Sequence, residues 1–140
     1  MNYHFGSKDA LLLKVAERLR DERHQSRIDA MAQRGSTALD ALWQVLSTQV
    51  ASGRSGAWLA LLSNPSTGGS VQPTETQIQA FLKAVGEALG MSADRFDPQF
   101  LLVGLEGVEV RLLSGAQPRR ARESYDRFWL AILNDDLSQA

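Results

Sequence analysis

Apolar residues recur along the chain with a spacing of three and four, the signature of helices that bury one face. Leu12, Val15, Ala16 and Leu19 mark one such face. Ser7 is placed to cap this first helix, with Asp9 in its first turn, and the helix extends to about Ala32. Its second half, Arg20 to Arg27, is mostly charged and reads as solvated, with His24 exposed in that run. After Gly35, a Ser36 or Thr37 cap opens a second helix, in which Leu39, Leu42, Trp43, Leu46 and Val50 form the cleanest stripe in the chain. Gly53 and Gly56 interrupt the pattern, and Ala57 to Leu62 suffices for about two turns. Asn64 to Gln72 reads as a mobile loop, because Pro, Ser, Thr and Gly supply turns and no apolar face.

Thr74 caps the next helix, which carries Ile78, Phe81, Leu82, Val85 and Leu89 and stops at Gly90. Asp97 and Pro98 are an N-cap and first-turn pair. They open a helix that runs to about Ser114 and is apolar on nearly all sides, so it calls for partners on two sides. Pro118 starts the last helix, with Tyr125, Phe128, Trp129 and Ile132 on one face. Alternating β-branched runs between turns are missing, so the fold class is all-α, a bundle of about six helices.

Composition narrows the function classes. The chain has 140 residues, 44% hydrophobic and 22% charged, enough for one domain with its own core. Fifteen Lys and Arg against sixteen Asp and Glu give a net charge of -1, with no basic excess to neutralise a phosphate backbone. With no cysteine and only His4 and His24, the chain has no thiolate chemistry and no obvious metal or cofactor set. Carboxylates in a recognisable catalytic spacing are also missing, which argues against an enzyme. Thr67 to Ser70 lacks the Lys and Ser or Thr of a phosphate-binding loop. The most apolar stretch, Phe100 to Leu105, falls far short of the roughly 20 residues that span a membrane, and the expected location is the cytoplasm.

The first thirteen residues, MNYHFGSKDALLL, carry the most specific pattern. Gly6 permits a turn, Ser7 restarts a helix, and Lys8 sets an ammonium beside the free N–H groups of a first turn, where a phosphate can be held. The order Met1, Asn2, Tyr3, His4, Phe5, Gly6, Ser7, Lys8, Asp9, Leu11 resembles the junction in tetracycline-repressor-like (TetR family) regulators where the DNA-recognition helix ends and the next begins. Asn2 stands where many relatives have Tyr. The resemblance implies that Tyr3, His4 and Lys8 contact the DNA backbone, which positions a protein on the duplex without reading bases. It further implies that residues 1–6 are the remnant of a helix-turn-helix domain whose remainder precedes Met1, and that residues 7–140 are the ligand-sensing and dimerisation domain. Operator DNA is then a partner of the full-length protein only.

The resemblance also implies a homodimer in which the last two helices pair with their copies. Leu105, Val108, Leu112, Tyr125, Phe128, Trp129 and Ile132 are the expected interface, with Gly104 and Gly107 permitting close approach. It implies a small apolar effector, for which Trp43, Leu46, Trp58, Phe81 and Phe100 are the expected pocket, ordinary core packing being the plainer reading of the same residues. Glu106, Glu109 and Arg111 interrupt an apolar helix and read either as ligand anchors or as paired or solvated surface charge. The function expected is a ligand-responsive transcriptional regulator, in all a repressor. The alternative is a helical dimerisation or partner-binding module without DNA binding.

Overall fold

The computed structural model describes residues 3–139, with side chains described for residues 8–134. It is all-helical: α1 (Tyr3–Ala30), α2 (Ser36–Ala51), α3 (Arg54–Ser63), the single turn α4 (Gly68–Val71), α5 (Glu75–Leu89), α6 (Pro98–Leu113) and α7 (Pro118–Gln139), with a 3₁₀ turn at Ala93–Arg95. The long α1 packs against α2, α3, α4 and α5, while α6 packs against α2, α3 and α7. Among the described residues no helix is long and apolar enough to cross a membrane.

Several boundaries follow from local chemistry. At the start of α5, the Thr74 hydroxyl accepts from the Gln77 N–H at 3.1 Å and the Gln77 amide oxygen accepts from the Thr74 N–H at 3.1 Å, a reciprocal cap. Gly90 ends this helix in the left-handed conformation at φ 69°. Asp97 accepts from the N–H groups of Gln99 and Phe100, and Pro98 occupies the first turn of α6, where its missing N–H costs nothing.

Three boundaries differ from the sequence reading. α1 is helical through Gly6 and Ser7, so Ser7 is an interior position and not the cap. α2 is preceded by Gly35 at φ 61° and ψ -138°, a conformation open to glycine. Its N–H donates to the Ala88 carbonyl at 2.8 Å, which ties the turn to α5 in place of a Ser36 or Thr37 cap. The Asn64–Gln72 segment is ordered onto the bundle, because Thr67 and Val71 are buried and the Thr67 hydroxyl donates to the Leu61 carbonyl at 2.7 Å.

The core has two parts. The larger joins Ala30 of α1 and Met31 of the turn after it to Leu42, Trp43 and Leu46 of α2, Phe81, Leu82 and Val85 of α5, Leu101, Leu105 and Val108 of α6, and Ala121, Tyr125 and Trp129 of α7. The smaller joins Ala16 and Leu19 of α1 to Trp58 of α3 and Val71 of α4. Burying an apolar side chain of this size contributes about 1.5–3 kcal/mol. Neither part closes without α1.

Candidate functional site

Between the two core clusters lies a polar layer that apolar periodicity does not reveal. The buried positions of α1 run Ala16, Leu19, Arg23, Arg27 and Ala30, a continuous helical stripe that passes through the charged segment. Arg23 and Arg27 are only 8% and 9% exposed, which corrects the expectation of a solvated run. Facing them is Glu109 of α6, at 0% exposure, so its reading as surface charge is also corrected.

Arg23 grips Glu109 with both arms of its guanidinium: Nη1 donates to Oε2 at 2.7 Å and Nη2 to Oε1 at 2.9 Å. The hydroxyl of Ser55, fully buried on α3, donates to the same Oε2. Arg27 stands farther off, with Nη2 at 3.7 Å from Oε1, an ion-pair distance beyond hydrogen-bond length. Arg23 also lies 4.4 Å over the Trp58 ring and Arg27 6.0 Å over that of Phe81, so both cations trade part of their lost hydration for an aromatic face. One carboxylate therefore ties α1, α3 and α6 together.

The electrostatics follow from this count. Burial opposes ionisation of Glu109, but the hydrogen bonds and charge of Arg23, the charge of Arg27 and the Ser55 hydroxyl outweigh it and hold the carboxyl below its ordinary value. Arg27 is pushed the other way, down to about 10, first by burial and then by the charge of Arg23, with Glu109 and Glu106 opposing. Burial raises Glu106 against the pull of Arg27 and Arg23. His24 is lowered, by burial and then by Arg27. Arg20, Arg23, His24, Arg27, Trp58, Val71, Pro73 and Glu106 enclose a cavity of about 30 Å³, the space of roughly one water. On the other side of the Arg pair, the amide oxygen Oε1 of buried Gln49 has no hydrogen-bond partner among the described residues.

The residues expected to form an effector pocket are not brought together. Trp43, Leu46 and Phe81 pack in the larger cluster and Trp58 in the smaller. Phe100 is 52% exposed on α6, where it lines an open cleft of about 390 Å³ with Phe96, Leu101 and Ile132. Of that set, Trp58 and Phe81 border the polar layer, under Arg23 and Arg27 respectively.

The expected dimer residues divide as well. Leu105, Val108, Tyr125 and Trp129 are buried within the chain's own core, where Tyr125 stacks on Trp43 at 5.3 Å and donates its hydroxyl to the Leu39 carbonyl. They cannot meet a partner unless the fold opens. Leu112, Phe128 and Ile132 are half-buried. Gly104 does permit a close approach, but within the chain: a methyl group there would overlap the Phe128 ring, whereas Gly107 faces open space. The apolar surface left over on α6 is Phe100, Val103 and Val110, spaced i, i+3, i+10 along one stripe, with Val103 62% exposed. α6 thus meets the chain on one side and presents an uncovered stripe on the other.

At the N-terminus, Lys8 is exposed, and the side chains of Tyr3 and His4 lie outside the described residues. Among the described residues no group of three or more His, Asp or Glu could hold a metal ion. Apolar periodicity does not mark Arg23, Arg27 or Ser55, whereas Glu109 stands out as a charge interrupting an apolar helix. The available signal was that Arg23 and Arg27 continue the Ala16–Leu19 register and that Glu109 shares the register of Leu105. Comparison with family models, curated proteins and solved structures finds no match to this chain.

Proposed function

We propose that residues 7–140 act as the ligand-sensing and dimerisation part of a transcription regulator of the TetR kind, a repressor working in the cytoplasm as a homodimer. The observation that carries this reading is the course of α1. The helix begins in the Met1–Leu13 motif that resembles the family's DNA-contacting junction, and it ends with Arg23, Arg27 and Ala30 built into the bundle. Any ligand that favours one packing of the bundle over another is thereby linked to the segment bearing Lys8. Such a ligand shifts the balance only by its difference in affinity for the two packings. The uncovered Phe100, Val103 and Val110 stripe, bordered by Phe128, supplies the dimer face in place of the buried residues.

The test is a fusion in which residues 1–140 follow a helix-turn-helix module of known operator. The fusion should repress a reporter as a dimer, and a small-molecule screen should yield an effector that releases it. Residues 1–140 alone should bind DNA weakly, with a small salt slope. A fusion that stays monomeric and leaves the reporter active would sink the reading. In that case the α6 stripe favours the second one, a partner-binding helical module without DNA binding.

A further inference from the structure

The cleft of about 390 Å³ between the start of α6 and the later part of α7 is floored by Phe96 and Leu101, 6% and 1% exposed, and walled by Phe100, Ala131 and Ile132. Its volume falls in the range of about 300–1,000 Å³ over which pockets take small organic molecules. A cube of that size is about 7 Å on a side, too narrow for a partner helix, which is about 10–12 Å across with its side chains. Val103 and Val110, the rest of the exposed α6 stripe, do not line it. The cleft is therefore separate from most of the face proposed above for a second copy, and shares only Phe100 with it.

The lining decides what chemistry fits. Floor and walls are hydrocarbon throughout, so a charged body seated there loses its hydration with no buried partner to replace it. Among the described residues, the charged side chains at the cleft are Arg95 and Asp97, one of each sign, which selects neither a cation nor an anion. Asp97 is held in place by its cap, where Oδ1 accepts from the N–H groups of Gln99 at 3.0 Å and Phe100 at 3.4 Å. Phe100 is 52% exposed, and its ring leans on Phe128 with centroids 5.5 Å apart, while Phe128 is backed in turn by Trp129 at 5.3 Å. An aromatic ring braced on one side and open on the other suits a flat partner that stacks on it.

We propose that this α6–α7 cleft binds a small uncharged aromatic molecule, stacked on Phe100 and seated over Phe96 and Leu101. The inference rests on the sensing reading above and gives its effector both a place and a chemical class. Phe96 and Leu101 belong to the larger core cluster, which also holds Ala30 and Met31 where α1 ends. A molecule in the cleft therefore bears on the packing to which α1 is fixed, and shifts it by its difference in affinity between two arrangements.

The experiment titrates the 140-residue chain with N-phenyl-1-naphthylamine, an uncharged aromatic probe whose emission rises when it leaves water. Binding should saturate at one probe per chain and raise the melting temperature. Ala131→Trp, at an exposed position, fills the cleft from α7 and should weaken binding at least tenfold with the helical circular dichroism unchanged. Phe100→Ala removes the stacking wall and should weaken it at least fivefold, whereas Val103→Glu, outside the cleft, should leave it within twofold. Titration without saturation, binding that survives Ala131→Trp unchanged, or binding lost in Val103→Glu would overturn the proposal. In the reporter fusion, an effector that still releases repression when the fusion carries Ala131→Trp would also overturn it and leave the sensing reading standing. A fusion that never represses would overturn the sensing reading, even where the probe fills the cleft as expected.

Discussion

Replacing Glu109 with Gln removes one charge and almost no volume, so it isolates the electrostatic role of the polar layer. In the wild-type chain the carboxylate accepts two charge-assisted bonds from Arg23 and one from Ser55, all buried. An amide offers one acceptor oxygen and turns its own donor toward the second arm of the guanidinium, leaving Arg23 and Arg27 as neighbouring buried cations. Removing one partner of a buried ion pair costs about 3–5 kcal/mol. That is a large part of the roughly 5–15 kcal/mol that holds a domain of this size together. At about 3 °C per kcal/mol, the melting temperature should fall by about 10–15 °C. Urea unfolding of Glu109→Gln, Arg23→Met and the double variant gives the coupling directly, and raised salt should change it little, because buried charges are poorly screened. The pH dependence supplies a second readout. Since the folded pKa of Glu109 lies below its ordinary 4.5, the unfolded chain binds more protons in the interval between the two values. The pair's contribution is therefore complete above about 4.5 and lost as pH falls through the folded value, and Glu109→Gln should flatten that slope. A cost below about 1 kcal/mol, the level of an exposed pair, would refute this account of the layer.

Tyr125→Phe should cost about 0.5–1.5 kcal/mol in chemical denaturation, since it removes the hydroxyl's bond to the part-buried Leu39 carbonyl, whereas Asp40→Asn at the surface pair with Arg122 should cost under about 1 kcal/mol. Gly104→Ala should destabilise by about 1–3 kcal/mol through overlap with Phe128, while Gly107→Ala, open on its outer side, should be neutral or stabilising by up to about 1 kcal/mol. Val103→Glu should leave the helical circular dichroism intact and abolish self-association in sedimentation, whereas Trp129→Glu, which buries a charge within the chain, should unfold it.

The helices that sequence patterning placed well are those whose boundaries are set by local chemistry. Thr74, Gly90, Asp97 and Pro98 act on their own neighbours, so the ends of α5 and the start of α6 need no tertiary information. The polar layer is different. Arg23 and Arg27 are buried because Glu109, more than eighty residues away, and Ser55 arrive opposite them, and the local sequence shows only that the two arginines continue the Ala16–Leu19 register, not which groups meet them. The α4 segment was misread for a related reason: its polar composition signals turns, yet Val71 finds Trp58 and Ala16 across the fold. The same logic separates Trp129 from Val103. Both are apolar positions on the two terminal helices, and the helix register alone cannot say which stripe of α6 and α7 faces inward and which is left for another chain.

These placements give α1 an unusual mechanical position. It is fixed at three levels, by Ala16 and Leu19 against Trp58, by Arg23 and Arg27 against Glu109, and by Ala30 and Met31 in the larger core. The outer two attachments are apolar and tolerate small sliding, because dispersion contacts are individually weak and non-directional. The middle one is a bidentate ion pair, which tolerates little. Fifteen residues separate Arg23 from Lys8, a lever of about 22 Å at 1.5 Å per residue. A tilt of about 10° at the level of Arg23 therefore carries Lys8 about 4 Å, a displacement large on the scale of a hydrogen bond to a phosphate. A rearrangement at the Arg23–Glu109 pair is therefore amplified along α1 before it reaches the segment that bears Lys8.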